Sequence, residues 1–198
     1  MGAGGPPALR TTEGVMRRTF WIALLGTVPW LLAGTADPGL LLELDRDEFS
    51  LRARDLAIEG EEPSQWQAGP VLQVVLGSPA HPTPAGEFPL RFLIRNPGWS
   101  PGAIARDRGA SAAPPSSDGP LGVGKLPFAQ GGEIALHGGA DPLLLGKPAS
   151  LGCVRATDAD LLELIRWLES RGALHPAERH PDGELHQWFR RPARVRVR

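Results

Sequence analysis

Residues 133–155 contain the side-chain types with which a protein makes and breaks acyl bonds. They include Cys153, the single cysteine of the chain, and His137, which follows the alternating polar and apolar residues 133–136. This alternation predicts a short, half-buried strand that ends at His137. Because an imidazole can take the proton of a thiol, the pair predicts a cysteine nucleophile with a histidine base.

Three residues beside Cys153 are assigned supporting roles. Gly152 lets the backbone approach a substrate closely, and the amides around Cys153 are natural donors to the oxyanion that forms when sulfur attacks a carbonyl. Arg155 stays protonated, so it is either a clamp for a carboxylate or phosphate or a donor that fixes the loop, and we expect the second. Ser150 either forms hydrogen bonds within the loop or contributes to catalysis.

The start of the chain is typical of an export signal. Arg17 and Arg18 precede an apolar run over residues 20–33, and small residues follow at 34–36. We interpret residues 1–36 as a signal peptide or N-terminal anchor and residues 37–198 as the catalytic domain. The protein is then expected in the periplasm or cell envelope, either free or held at the membrane by its N-terminus.

Structural alternatives remain for the cysteine and for the histidine. A lone cysteine in an exported chain cannot form an internal disulfide, so Cys153 is a buried inert thiol, a dimer link or a reactive group. His137 is either the base or a hydrogen-bonded histidine at a strand end. The net charge of −1 does not suggest a nucleic-acid partner.

Composition predicts one loop-rich, mostly β domain. The chain of 198 residues contains 25 glycines and 21 prolines, and only 6% of its residues are aromatic. Strands are predicted at residues 40–44, 48–54, 71–76, 90–94 and 121–128, and at residues 194–198, whose arginines are expected to face solvent at a sheet edge.

One helix is predicted directly after the cysteine. Thr157 is its expected cap, with Asp160 as the capping partner and Gly172 as the stop. The apolar positions that define its buried face are Leu161, Leu164, Ile165 and Leu168. This helix should hold the cysteine loop against the core.

Two other stretches are less informative. Residues 107–119, rich in Ala, Ser, Pro and Gly, form either a flexible surface loop or a mobile flap over the site. His175, His180 and His186 near the C-terminus match no familiar set of metal ligands, so we predict no metal site.

Four elements in this order resemble the L,D-transpeptidase family of cysteine enzymes that rework peptidoglycan. Residues 82–88 match a Pro-Thr-Pro-x-Gly-x-Phe element, residues 119–122 match Gly-Pro-Leu-Gly, and His137-Gly138 matches a His-Gly element. Residues 150–155 match the Ser-His-Gly-Cys-x-Arg signature except at Leu151, where the family usually has histidine. The resemblance extends over about residues 40–172, and the departure at Leu151 bears on subsite polarity and rate.

The resemblance implies a β-sandwich of mixed sheets with one main α-helix after the catalytic cysteine. It implies that Cys153 attacks the carbonyl of the L-centre of the third stem-peptide residue, expels D-alanine and forms a thioester, which an amine or water resolves. It also implies that the Gly138 carbonyl orients His137, that no metal or organic cofactor is needed, and that carbapenems acylate the thiol.

Other functions remain open at this point. An L,D-carboxypeptidase or endopeptidase would trim peptidoglycan instead of cross-linking it, and a wall-binding module would have lost turnover. A third alternative is an exported metal-binding domain that uses the tail histidines. We expect a monomer that acts on peptidoglycan stem peptides, with the acceptor being a second stem, a lipoprotein, a D-amino acid or water.

Overall fold

The computed structural model describes Met1 and residues 39–56 and 67–198. The predicted signal or anchor at residues 1–36 therefore lies outside the described residues, apart from Met1. No helix in the described part of the chain is long and apolar enough to cross a membrane.

Within these residues the chain is built mainly from short strands. The strands are β1 (Leu40–Asp45), β2 (Ser50–Asp55), β3 (Gln67–Gln73), β4 (Leu76–Gly77), β5 (Gly86–Pro89), β6 (Phe92–Arg95), β7 (Gly124–Ala129), β8 (Ile134–His137), β9 (Pro148–Ser150), β10 (Val154–Arg155), β11 (Glu178–Arg179), β12 (Leu185–Trp188) and β13 (Ala193–Val197). The helices are α1 (Ala103–Asp107) and α2 (Asp158–Ser170), and short 3-10 turns occur at Gln130–Gly132 and Pro142–Leu144.

The strands form two main sheets. One has the order β3-β2-β1-β13-β5, and the other has the order β10-β8-β7-β6-β12-β11. Each contains one parallel pair, β1 with β13 and β10 with β8, among antiparallel neighbours. A small parallel pair joins β4 to β9. The predicted mostly β fold with mixed sheets is confirmed.

The strongest helix prediction is also confirmed. α2 buries all four residues of the predicted apolar face, and each has none of its surface exposed. The Thr157 hydroxyl accepts a hydrogen bond from the Asp160 amide at 3.1 Å, as a capping residue does. α2 shares one hydrophobic core with both main sheets, which include the buried residues Leu42 and Leu126.

The last strand is not the sheet edge that its sequence predicts. β13 lies between β1 and β5, with Val195 and Val197 buried in the core. Its arginines point away from the core, and Arg196 donates to the Glu87 carboxylate at 2.9 Å. An alternating pattern shows which face of a strand is buried but not whether a neighbour lies on each side, so the edge prediction was wrong.

The apolar run at residues 71–76 forms two strands instead of one. β3 ends at Gln73, and Val75 then exchanges backbone hydrogen bonds with Arg155 at 2.8 and 2.9 Å. This crossing takes the chain from the five-stranded sheet to the cysteine loop. The following residues of β4 consequently lie beside that loop.

Candidate active site

One face of the six-stranded sheet holds the residues with reactive or charged side chains. Lys125 of β7 pairs in register with His137 of β8, and His137 pairs with Arg155 of β10. Residues in register share a sheet face, and Cys153, two positions before Arg155, shares it as well. The alternate residues Leu136 and Val154 point into the core.

These four side chains line one cavity of about 950 Å³. Its opposite side is formed by the loop around Trp99, by α1 and by Glu184, and Leu151 also lines it. Ligand cavities in proteins are commonly of roughly 300–1,000 Å³. The cavity is therefore large enough for a peptide segment, and the residue that departs from the family signature faces it.

The Cys153 loop is fixed by its own hydrogen bonds. The Ser150 hydroxyl donates to the Cys153 carbonyl at 2.6 Å and accepts from the Gly152 amide at 3.1 Å. Gly152 has a φ of +116°, and a Cβ there would lie 2.8 Å from Ile134 Cδ1, so the position requires glycine. Ser150 thus fixes the loop, and the Gly152 amide is engaged within it instead of facing a substrate carbonyl.

Thr83 connects this loop to a distant segment. Its buried hydroxyl donates to the Gly152 carbonyl and accepts from the Gly77 amide, both at 2.9 Å. Sequence reasoning placed Thr83 in a matched element but gave it no role. The contact spans 69 positions, which no local pattern reveals.

The cysteine thiol is partly exposed. Its sulfur lies 3.5 Å from the Glu133 carbonyl oxygen, to which the thiol donates. The sulfur is therefore neither sealed in the core nor paired with another cysteine in this chain, since Cys153 is the single one.

His137 is held as a neutral imidazole. Its Nδ1 lies 2.7 Å from the Gly138 carbonyl oxygen, so Nδ1 carries the proton and Nε2 is left as the acceptor. Burial lowers the pKa of His137 to about 4, against the effect of the Gly138 carbonyl. The positive charges of Arg155 and Lys125 lower this pKa further, and Asp158 opposes them.

Asp158 fixes the turn that follows His137. Its Oδ1 accepts hydrogen bonds from the Val123 amide at 3.0 Å and the Gly139 amide at 3.1 Å. A Cβ at Gly122 or Gly138 would lie 2.0 or 2.1 Å from this oxygen, so both glycines are required by the close approach. Sequence reasoning gave Asp158 no role, because its partners Val123 and Gly139 are distant from it along the chain.

Arg155 does not form the loop-fixing bond expected from the sequence. Its Nε is buried without a hydrogen-bond partner, and no hydrogen bond or ion pair joins its guanidinium to another described residue. Its side chain instead lines the cavity beside His137. This placement favours the alternative role, contact with a substrate carboxylate.

The C-terminal hairpin of β11 and β12 reaches the cavity as well. Glu184 Oε1 accepts from the Gly98 amide at 2.9 Å, and Glu184 Oε2 lies 2.9 Å from His186 Nε2. His186 stacks on His180 with ring centres 4.5 Å apart. No three His, Cys, Asp or Glu side chains in the described ranges are placed to hold a metal.

The loop at residues 107–119 lies next to the same region. Ala113 exchanges backbone hydrogen bonds with Trp99 at 2.9 Å in both directions. Residues 112–115 line a smaller cavity of about 350 Å³, which shares Trp99 and Glu184 with the larger one. Whether this loop moves as a flap stays a prediction.

A thiol directly before β10 and a neutral imidazole at the end of the neighbouring parallel strand β8 line one cavity, an arrangement that suits a cysteine nucleophile with a histidine base. A model of the L,D-transpeptidase catalytic domain (YkuD) matches residues 51–183. This match covers more than half of the chain, so the chain belongs to the L,D-transpeptidase catalytic domain family. No curated protein sequence matches it.

Solved structures are similar in fold. A cysteine-to-serine mutant of the Enterococcus faecium L,D-transpeptidase is 14% identical with a TM-score of 0.50, over 81% of this chain and 50% of that one. An L,D-transpeptidase from Mycobacterium smegmatis is 14% identical with a TM-score of 0.43, over 81% and 58%. L,D-transpeptidase 3 from Mycobacterium tuberculosis, in complex with a faropenem-derived adduct, is 16% identical with a TM-score of 0.47, over 81% and 60%. The chain thus spans between half and three-fifths of these relatives' length.

Proposed function

We propose that this protein is an L,D-transpeptidase that uses Cys153 as its nucleophile. Its donor is a peptidoglycan stem tetrapeptide, cleaved between the L-centre of the third residue and the terminal D-alanine. The observation that carries the proposal is the common cavity that Cys153, His137 and Arg155 line in a domain of this family. The catalytic roles of these residues are part of the proposal.

The first step forms a thioester. His137 Nε2 takes the thiol proton as Cys153 Sγ attacks the peptide carbonyl, and a tetrahedral oxyanion results. The imidazolium then gives this proton to the nitrogen of D-alanine as the carbon–nitrogen bond breaks. The free amino acid leaves, and the acyl group remains on sulfur.

The second step transfers the acyl group to an amine. The amine of a second stem attacks the thioester carbonyl while His137 accepts the amine proton. The carbon–sulfur bond breaks, and the thiolate takes the proton back from the imidazolium. Water in place of the amine gives a tripeptide, which is the carboxypeptidase reaction.

The proposal also covers the location of the protein, its oligomeric state and its reaction with carbapenems. The protein is exported through residues 1–36 and acts in the periplasm or cell envelope, on the basis of the signal-like pattern alone. It acts as a monomer. Carbapenems acylate Cys153 because they carry an acylating carbonyl that a thiolate can attack.

The test uses purified disaccharide-tetrapeptide and mass spectrometry. The wild-type protein should release D-alanine and form a cross-linked dimer, and Cys153→Ala should do neither. Tripeptide without dimer would identify a hydrolase instead. Intact-mass measurement after incubation with a carbapenem should show one adduct on the wild type, and its absence would count against the thiol chemistry.

A further inference from the structure

We propose that Lys125 and Arg155 together form a carboxylate-binding subsite, which takes a carboxylate of the donor stem peptide. This inference rests on the proposed function and adds Lys125 to the residues that recognise the substrate.

The two cations flank the base symmetrically. Lys125, His137 and Arg155 are register partners on three adjacent strands and share one face of the sheet. Neighbouring strands lie about 4.8 Å apart, so the two backbones are roughly 10 Å apart with the imidazole between them. Both long side chains line the same cavity, so an anion bound in it meets two positive charges.

Neither cation is neutralised by a described residue. Other arginines, including Arg54, Arg191 and Arg196, form ion pairs with carboxylates. No ion pair or hydrogen bond joins the Lys125 ammonium or the Arg155 guanidinium to another described side chain, and Arg155 Nε is buried and unpaired. A buried polar group without a partner is rare and calls for one, which a ligand can supply.

The carboxylates that share the cavity do not fill this role. Glu184 already binds the Gly98 amide and His186 with its two oxygens. Glu133 is exposed, and it forms no ion pair with Lys125 or Arg155. The cationic pair therefore remains open to an anion from outside the chain.

The proposed donor carries suitable anions close to the scissile bond. Its terminal D-alanine ends in a carboxylate next to the nitrogen that leaves, and its third residue, when that residue is diaminopimelate, carries another carboxylate on its side chain. Either one bound between the two cations would also offset the charges that disfavour protonation of His137. Binding of the correct donor would thus make the base more effective.

The experiment compares three disaccharide-tetrapeptides: the free acid, the D-alanine amide and a peptide with amidated diaminopimelate side chain. The wild type should use the free acid about 10- to 100-fold better, by kcat/KM, than one of the two amides, because charge-assisted hydrogen bonds are lost. The amide that reacts poorly identifies which carboxylate is bound. Lys125→Met should bring this ratio toward one, and Lys125→Arg should preserve it.

Lys147→Met is the matched control, since this exposed lysine lies outside the cavity, and it should keep the wild-type ratio. Equal use of all three peptides by the wild type, or an unchanged ratio in folded Lys125→Met, would overturn the subsite. If the wild type turns over no peptide, the proposed function fails separately. The dissociation constants of the same three peptides from Cys153→Ala then decide the subsite by the same ratios.

Discussion

The same short strands form both faces of the six-stranded sheet, but one face packs against the core and the other lines the cavity. On the inner face Leu126, Leu136 and Val154 are buried against the core. On the outer face their immediate neighbours Lys125, His137 and Arg155 line the cavity. Along each strand, a residue that stabilises the fold is therefore followed or preceded directly by one that lines the cavity.

This domain has few aromatic residues, and the difference shows how close packing of aliphatic side chains on one face fixes the positions of reactive groups on the other. The side chains on the outer face inherit their positions from the packing of the inner face, which has almost no exposed surface. Inner-face substitutions should therefore change the free energy of unfolding, and outer-face substitutions should change turnover or its pH dependence.

The sharpest comparison is between Cys153 and Val154. Cys153→Ala should lower turnover at least about 10⁴-fold with little change in stability, since it removes the nucleophile from a partly exposed position. Val154→Ala should cost about 1–3 kcal/mol of unfolding free energy while folded protein still turns over substrate. Urea unfolding and tetrapeptide turnover measure both, and a large stability loss in Cys153→Ala would contradict the assignment.

The next largest effect is expected from His137 as pH falls. Its pKa is about 4 when folded against an ordinary 6.5, so between these values only the unfolded chain gains the proton. This contribution to stability is fully present above pH 6.5 and is lost by pH 4, a difference of about 3 kcal/mol. Urea unfolding between pH 6.5 and pH 4 should show a smaller decrease in unfolding free energy for His137→Gln than for the wild type. His175→Gln, at an exposed position, should show the wild-type decrease.

A smaller effect is expected from Asp158, which lies at the start of α2 and fixes the turn that follows His137. Asp158→Ala removes the acceptor of the Val123 and Gly139 amides and should cost about 1–2 kcal/mol. Because the turn after His137 loosens, alkylation of Cys153 by iodoacetamide should also change in rate. Glu163→Ala on the exposed side of α2 is the control, and an equal effect there would contradict the role of Asp158.

The smallest effect is expected at the rim of the cavity. Glu184→Ala removes the acceptor of the Gly98 amide and so loosens the loop around Trp99, but it leaves the thiol in place. It should therefore raise KM for the tetrapeptide about 3- to 10-fold with kcat nearly unchanged. Glu184→Gln keeps an oxygen for Gly98 and should restore most of the affinity. A loss in kcat alone would show that Glu184 does not act through the loop.

Local patterns predicted the helix and the strand that ends at His137, because each depends on spacing within about a dozen residues. The stripe of four apolar residues in α2 is such a pattern, and so is the alternation before His137. The position of Lys125 beside His137 was not predicted, because the sequence of one strand does not show its register with another strand. The interior position of β13 was not predicted for the same reason, since its partners β1 and β5 lie far away in the chain.

Of the two roles predicted for Arg155, the preferred one, a loop-fixing hydrogen bond, is not found among the described residues, for a different reason. A guanidinium at the end of a signature loop has many possible acceptors nearby in sequence, and only the three-dimensional arrangement shows that none is within reach among the described residues. Similarly, the engagement of the Gly152 amide by Ser150 depends on the tight backbone at Gly152. Composition and spacing carry no information on such angles.

The hydroxyl of Thr83 makes the geometry of the Cys153 loop depend on the folding of a distant segment. It joins Gly77 to Gly152, so the loop reaches its working geometry only after segments far apart along the chain have met. Until then Cys153 and His137 do not face a common cavity. A nascent or unfolded copy therefore lacks the arranged site, and the proposed acyl transfer requires the folded protein.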